Sequence, residues 1–236
     1  MKKAILAKFV AGLFLSLAAG FMLGAKSEQP FDATRLRTGR FDYRMIKAGK
    51  EIGKFVVTVG NAAGNFRFTG EAAGFNQKWE SIATPSFQPV SAMLRMQLRD
   101  GKMYSMNLKY GDGSVTGSEQ KESSPANQID NPIPLGTVDQ RIDWAAAMSS
   151  GLEVGDKFSF TVYDPSTGVS QVTGEIARTE RIDVPVGVYD TVRIIYRIEK
   201  PKGTERYEVL ATRDLPRMMV REDFPNGTSS ELVSIK

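Results

Sequence analysis

The chemistry open to this chain is limited by two residue types that it lacks. None of its 236 residues is Cys or His. Disulfides, thiolate nucleophiles, cysteine or histidine metal sites and Ser-His-Asp triads are therefore excluded, because each requires one of these side chains. Carboxyl and tyrosine side chains remain as candidates for catalysis, and apolar surfaces remain as candidates for binding.

Carboxylates are numerous in the C-terminal half, where two of them facing one cleft could act on a glycosidic bond. Most occupy turns or the polar phase of predicted strands, which favours a structural role. Residues 111–113 and 164–168 offer too few spaced oxygen ligands for a calcium loop. We therefore predict no catalytic residue, no metal site and no cofactor, and an enzyme is the least favoured reading. The carboxylates considered are Asp156, Asp164, Glu175, Glu180, Asp183, Asp190, Asp214, Glu222 and Asp223.

An adaptable apolar face on the hairpin predicted over residues 91–110 is the strongest candidate for a binding surface. Methionine adapts to irregular apolar partners, and tyrosine adds a polar tip. Such a face suits a lipid or amphiphile groove, although ordinary core packing is the alternative. Trp79 and Trp144 are expected to border or plug the same cavity. The hairpin residues are Leu94, Met96, Leu98, Tyr104, Met106, Leu108 and Tyr110.

The loop of this hairpin decides whether its two apolar rows share a face. A two-residue loop at Asp100-Gly101 would pair Leu98 with Met103 and place the rows on opposite sides of the sheet. An odd loop of residues 99–101, with Gly101 left-handed, restores the match. The outer face is then predicted to carry Arg95, Gln97, Asn107 and Lys109.

Residues 1–25 are typical of a secretory signal peptide. Lysines at positions 2, 3 and 8 lead into an apolar run of about 15 residues, and small residues end it at Ala25. A retained membrane anchor is the alternative, but the run falls short of the roughly 20 residues that a spanning helix needs. We predict cleavage after Ala25, a periplasmic mature protein that does not span the membrane, and an N-terminal extension over residues 26–38.

Removal of this segment changes the charge balance. The whole chain carries 31 Lys and Arg against 27 Asp and Glu, a net charge of +4. Residues 1–25 hold three of the lysines and no acid, so the net charge of the remainder is +1. Basic residues alternate with apolar ones along the predicted strands rather than forming a patch. We therefore predict no nucleic-acid partner.

Residues 39–236 are predicted to form one all-β domain of about twelve antiparallel strands, because apolar residues recur with period two between glycine-bearing turns. The Pro-rich segment 122–136 is interpreted as a crossover loop and not a strand. One short helix is predicted over 143–150, capped by Asp143 and ended by Gly151. Strands are predicted at 39–47, 52–60, 65–69, twice within 91–110, from 114, and at 157–163, 169–178, 189–198, 205–212, 218–222 and 229–235.

The order of several local motifs resembles a bacterial envelope family known as domain of unknown function 3108, over roughly residues 38–236. The motifs are Phe41-Asp42-Tyr43-Arg44, Ile52-Gly53, the helix at 144–150, Gly155-Asp156, Tyr163-Asp164, Glu180, Pro185-Val186-Gly187-Val188-Tyr189 and Asp214-Leu215-Pro216. The resemblance implies a strongly curved antiparallel sheet, similar to the half-barrels of periplasmic lipoprotein carriers, and implies no activity. Gly187 is expected to have a positive φ, and Pro216 to start or interrupt an edge strand.

Two non-catalytic functions follow as hypotheses. The first is a periplasmic binding protein that holds a hydrophobic or amphipathic, lipid-like ligand on the concave face of the sheet, with residues 122–136 and 143–150 near the mouth. The second is an envelope assembly or scaffold protein that docks another envelope protein through its sheet edge or outer face.

Overall fold

The computed structural model describes residues 31–150 and 153–236, which form a single sheet of fifteen strands with one short α-helix. The predicted signal peptide and Gly151 lie outside these residues. The strands are β1 Gly39–Lys47, β2 Lys50–Ala62, β3 Asn65–Ala72, β4 Gln77–Ala83, β5 Pro89–Gln97, β6 Met103–Gly111, β7 Ser114–Lys121, β8 Asn127–Pro132, β9 Val138–Asp139, β10 Lys157–Asp164, β11 Gly168–Val184, β12 Gly187–Lys200, β13 Gly203–Thr212, β14 Met219–Asp223 and β15 Thr228–Ile235. The helix α1 spans Asp143–Ser149.

Almost every strand pairs with its neighbour in the chain, as in a meander. The order across the sheet runs from β8 back to β1, then to β15 and onward down to β9. All pairs are antiparallel except β9 with β10. Register shifts interrupt several pairs, including β11 with β12 and β13 with β14. Because such bulges bend and twist strands, they explain the strong curvature of this open sheet.

The all-β prediction and the curved antiparallel sheet are confirmed, but three of the fifteen strands were not predicted. These are β4, β8 and β9. Since β8 lies inside segment 122–136, the interpretation of that segment as a strandless loop is wrong. Pro216 lies between β13 and β14, which are interior strands, so its expected edge position is wrong as well. Gly187 has the expected positive φ, at +136°.

The helix α1 is buried on every side. All seven of its residues are buried, which a helix of mostly alanine and large apolar residues permits. Asp143 does not cap it: the capping position is Ile142, and Asp143 is the first helical residue. Its carboxylate instead accepts the N–H of Trp144 at 2.6 Å. The described part of the predicted N-terminal extension packs nearby, with Leu36 bridged to Arg217.

Two apolar clusters form the core. The larger surrounds α1 and takes residues from both halves of the sheet, among them Phe68, Ile194 and Leu232. The smaller lies under β5 to β8 and consists of Ala92, Met106, Leu108, Val115, Ile129, Ile133 and Tyr163. Among the described residues, no helix is long and apolar enough to cross a membrane.

The hairpin of β5 and β6 has the predicted register. Leu94 pairs with Met106, and the N–H of Leu98 donates to the Lys102 carbonyl at 2.8 Å, which closes a loop of residues 99–101. Gly101 is left-handed, with φ of +83°. The four residues predicted for the outer face are all exposed. Matching the two apolar rows thus identified the loop type correctly.

Candidate functional site

A cavity of about 380 Å³ lies where α1 faces strands from both halves of the sheet. Pockets for small ligands typically have volumes of roughly 300–1,000 Å³ and combine apolar walls with a few polar groups. This cavity has that composition. Its walls are Met45, Phe55, Ala72, Trp79, Leu94, Trp144, Tyr207 and Phe224, together with the polar residues Gln77, Gln140, Arg141, Asp143, Asp164 and Glu222.

Three of the nine residues predicted to bind ligand line this cavity: Trp79, Leu94 and Trp144. The other six lie further along the hairpin. Met106 and Leu108 are buried in the smaller core cluster, and Tyr104 and Tyr110 pack against it. Met96 and Leu98 are half-buried. The hairpin face is therefore core over much of its length, because Val115, Ile129, Ile133 and Tyr163 pack in the same cluster.

The hydroxyl groups of the two hairpin tyrosines form hydrogen bonds within the protein. The hydroxyl of Tyr104 donates to Glu119 at 2.7 Å, and that of Tyr110 donates to Asp139 at 3.3 Å. Burial, followed by the nearby carboxylate, raises the pKa of each tyrosine. Both hydroxyls therefore stay protonated and serve as structural donors.

Arg141 is the only cation that lines the cavity within the described residues, and its charge is already balanced by two carboxylates. Its guanidinium pairs with the fully buried Asp139 and, at 3.2 Å, with Asp164. Burial by itself lowers the pKa of Arg141, but the Asp139 carboxylate outweighs this and raises it, so the guanidinium keeps its charge. This cluster fixes the chain between β9 and α1 and turns Trp144 toward the cavity, where the indole N–H donates to the Arg141 carbonyl at 3.1 Å.

Asp143 presents a buried carboxyl group to the cavity and is 7% exposed. Burial raises its pKa to about 7, although the Trp144 N–H and the charge of Lys200 act to lower it. The hydroxyl of Tyr196 lies 3.4 Å from the same carboxylate oxygen. Near neutral pH, Asp143 therefore exists as a mixture of protonated and ionised forms.

Glu222 is the second buried carboxyl of the cavity and is 5% exposed. Within residues 31–150 and 153–236 its side chain has neither a hydrogen bond nor an ion pair. Burial, then the charges of Asp143 and Asp223, raise its pKa well above the ordinary value. Buried carboxyl groups are normally paired, so an unpartnered one marks a position where a ligand group could bind.

In the sequence alone, Glu222 is one of many carboxylates and Asp143 is predicted to be a helix cap. A signal for Glu222 was present, because Val220 and Glu222 share one phase of β14 and Val220 is fully buried. A carboxylate in the apolar phase of a strand indicates a buried site. No comparable signal marked Arg141.

Comparison with known proteins identifies the family of this chain. A family model described as "Protein of unknown function (DUF3108)" matches residues 38–232. The chain belongs to the DUF3108 family. No curated protein matches it.

A solved structure shares the fold of this DUF3108 chain. A β-barrel-like protein of domain of unknown function DUF1849 from Brucella abortus shares 13% identity, with a TM-score of 0.57 over 86% of this chain and 98% of its own. A provisionally assigned lipoprotein from Parabacteroides distasonis shares 13% identity over 87% of this chain and 99% of its own, with a TM-score of 0.35. The likeness of fold is to the Brucella protein, because the TM-score of the second structure is below 0.5.

Two of the segments that carry the DUF3108 resemblance meet on the surface. Residues 188–190 and 214–216 line a second cavity of about 400 Å³, to which Arg37 also contributes. The Arg213 N–H donates to the Asp190 carbonyl at 2.9 Å and holds the segments together. Leu215 is exposed there, so these motifs form an outer surface and do not contribute to the cavity beside α1.

Proposed function

We propose that this DUF3108 protein is an exported, non-catalytic binding protein whose cavity holds a hydrophobic or amphipathic small molecule. The observation that carries this proposal is the cavity of about 380 Å³ beside α1, whose lining combines the rings of Phe55, Trp79, Trp144, Tyr207 and Phe224 with a few polar and charged side chains. An amphiphile matches that composition, because its chain can contact the aromatic walls and its head can contact the polar groups.

The aromatic walls are held in place by contacts outside the cavity. The Trp144 ring packs edge-on against Phe68, with centroids 6.4 Å apart. Tyr207 stacks on the fully buried Tyr196 at 5.2 Å, and its hydroxyl donates to Glu205 at 2.8 Å. Walls that are fixed before the ligand arrives lose little conformational entropy on binding, which supports a preformed site.

Native mass spectrometry of the protein purified from a periplasm, combined with extraction of bound lipid, tests the proposal. We expect a co-purifying amphiphile that Leu94→Trp displaces, because the larger ring fills the cavity. Met93→Trp is the matched control, since Met93 is the adjacent residue on the exposed face of β5. Protein without ligand that also fails to bind apolar dyes would refute the proposal.

Export is part of the proposal and rests on residues 1–25. The expected mature protein begins at Lys26 and is recovered in the periplasmic fraction. Intact-mass measurement of that fraction checks both points. A chain that keeps residues 1–25 and sediments with membranes would indicate the alternative, a retained anchor.

Docking of another envelope protein is the second candidate function, and the edge strand β8 favours it. Five of its six residues are exposed, and it pairs only with β7. A partner strand could add along this edge. Crosslinking in cells from a photoreactive residue at position 128 is expected to capture one reproducible partner, and Asp130→Pro is expected to abolish it. Absence of a partner would count against docking.

Acid/base catalysis is favoured by one observation, the pair of buried carboxyls Asp143 and Glu222 in one cavity. Burial raises the pKa of both, and a carboxyl with a raised pKa can serve as a general acid beside a second carboxyl that serves as a base. Hydrolysis of glycosides or esters that disappears in both Asp143→Asn and Glu222→Gln would establish an enzyme and overturn the non-catalytic proposal.

A further inference from the structure

We infer that the cavity selects a cationic amphiphile, an alkyl chain with a protonated amine head, whose ammonium group is bound between Glu222 and Asp143. This inference rests on the proposed binding function and adds the chemical class of the ligand. It follows from the distribution of charge around the cavity, from the unpartnered carboxyl of Glu222 and from the aromatic surface beside it.

The cavity has an excess of acidic groups. Its lining includes three carboxyls, Asp143, Asp164 and Glu222, against the single guanidinium of Arg141. Arg141 is shared by Asp164 and by the fully buried Asp139 behind it. No charge on Arg141 is left for an anionic head group, and neither Asp143 nor Glu222 has a salt bridge to any described residue. A bound cation can pair with either carboxyl in its ionised form, whereas a bound anion finds no unpaired cation in the described lining.

Glu222 supplies a second, independent observation that points to a polar ligand group in the cavity. Glu222 is only 5% exposed as a whole residue, it lines the cavity, and its carboxyl lacks a partner among the described residues. The neighbouring Ser230 is paired with Glu222 across β14 and β15, and its buried hydroxyl also has no partner. An ammonium group has three N–H donors and could satisfy Glu222 and Asp143 together.

Aromatic rings complete the surroundings that a cation prefers. Tyr207 and Phe224 line the cavity with Glu222, and their rings lie 6.4 Å apart in an edge-on arrangement. Trp144, the residue after Asp143, also faces the cavity. Ring faces attract ammonium groups and also accept alkyl chains, so the same walls serve both parts of the ligand.

Binding should release protons, because a cation favours the ionised carboxyls. The charged and titratable groups that interact with Asp143 are Lys200, Tyr196, Tyr207, Asp139 and Glu222. Those that interact with Glu222 are Asp143, Asp223, Tyr43, Tyr196 and Tyr207. Lys200 is already paired with Glu205 at 2.7 Å. The tyrosines stay protonated, and an alkylamine keeps its charge below pH of about 10. Affinity should therefore rise from pH 5 to pH 8.

Calorimetry with three ligands of equal chain length tests the inference on the mature full-length chain. The ligands are octylammonium, octanol and octanoate, each below its micelle concentration. We expect octylammonium to bind at least about tenfold more tightly than octanol, since hydrogen bonds to charged groups are the stronger ones, and octanoate to bind most weakly. Equal or tighter binding of octanol or octanoate would overturn the inference while leaving the proposed function intact. Absence of binding by all three would overturn both.

Glu222→Gln and Asp143→Asn separate the head-group contact from the shape of the cavity. Both keep side-chain size, so octanol should bind as before, whereas octylammonium should lose about tenfold in affinity and most of its pH dependence. Glu71→Gln is the control, because Glu71 is exposed and pairs only with Lys78 in the described chain. Unchanged octylammonium binding in both cavity variants would refute the assignment of the head-group site.

Discussion

The indole ring of Trp79 lies directly against the α-carbon of Gly70, its partner across β3 and β4. A methyl group on Gly70 would overlap the ring. Glycine at this position therefore lets the indole lie flat on the strand, where it forms a wall of the cavity instead of filling it. The size of the site thus depends on a residue that contributes no side chain to it.

Gly70→Ala is expected to displace Trp79 toward the cavity. We expect a loss of about 1–3 kcal/mol in the free energy of unfolding, typical of overpacking, together with weaker amphiphile binding and altered tryptophan emission. Urea denaturation and fluorescence measure these effects. Gly60→Ala is the control, since a Cβ there meets nothing within 4 Å. Equal behaviour of the two variants would show that Trp79 is not held by Gly70.

Stability should decrease as pH rises through neutrality. Burial raises the pKa of Asp143 from 3.8 to about 7 and raises that of Glu222 as well, so the folded state holds protons that the unfolded state releases. The resulting loss of stability begins above pH of about 4 and is complete for Asp143 above its folded pKa. The chain has no His, so other side chains contribute little between pH 5 and 8.

Urea denaturation between pH 5 and 8 measures this dependence. The carboxylates with lowered pKa values, such as Glu180 and Glu208, change the free energy of unfolding at lower pH. Their contribution to stability is already complete before this range. Asp143→Asn should flatten the profile and stabilise the protein at pH 8 by about 2–4 kcal/mol. A wild-type profile that is flat or rises with pH would contradict the assigned pKa directions.

Sequence patterns recovered the strands whose inward residues are large and apolar, and missed those whose inward residues are not. In β4 the inward positions include Ser81 and Ala83, which conceal the alternation. In β8 only Ile129 is buried, and β9 has two residues and a parallel partner. The hairpin register was predictable because two apolar rows had to share a face.

The cavity was less predictable, because its polar residues meet only after the sheet has closed around α1. Asp143 and Glu222 are separated by nearly the whole C-terminal half and carry no shared motif. The methionines and tyrosines of the hairpin predict a binding face, but contacts with residues of β7 and β8 turn most of that face into core. Only long-range packing distinguishes a filled apolar face from an open one.

Replacement of Arg141 should lower the free energy of unfolding strongly, because it would leave a buried charge unpaired. Arg141→Met leaves Asp139, which is fully buried, without its cation. Breaking such a pair typically costs about 3–5 kcal/mol, and urea denaturation at pH 7 measures it. Arg40→Met is the control, since its pair with Asp42 at 3.0 Å is partly exposed and is worth about 0–1 kcal/mol. Similar losses in both variants would contradict a structural role specific to Arg141.

The hydrogen bond between Asn131 and Tyr163 joins the edge strand β8 to β10, the strand next to β9 at the other end of the sheet order. The Asn131 amide donates to the Tyr163 hydroxyl at 2.8 Å, and the Tyr163 side chain packs in the smaller core cluster. Tyr163→Phe removes the bond but keeps the ring, so the free energy of unfolding should fall by only about 1 kcal/mol.

The effect of Tyr163→Phe should be local to the edge of the sheet. Because β8 has one strand neighbour, the backbone amides of β8 should exchange faster with solvent in this variant, while those of β12 stay protected. Hydrogen-exchange mass spectrometry measures this difference, with Tyr189→Phe as a control whose hydroxyl bonds to no described residue. Uniformly faster exchange in both strands would show that the bond supports the whole sheet and not the edge.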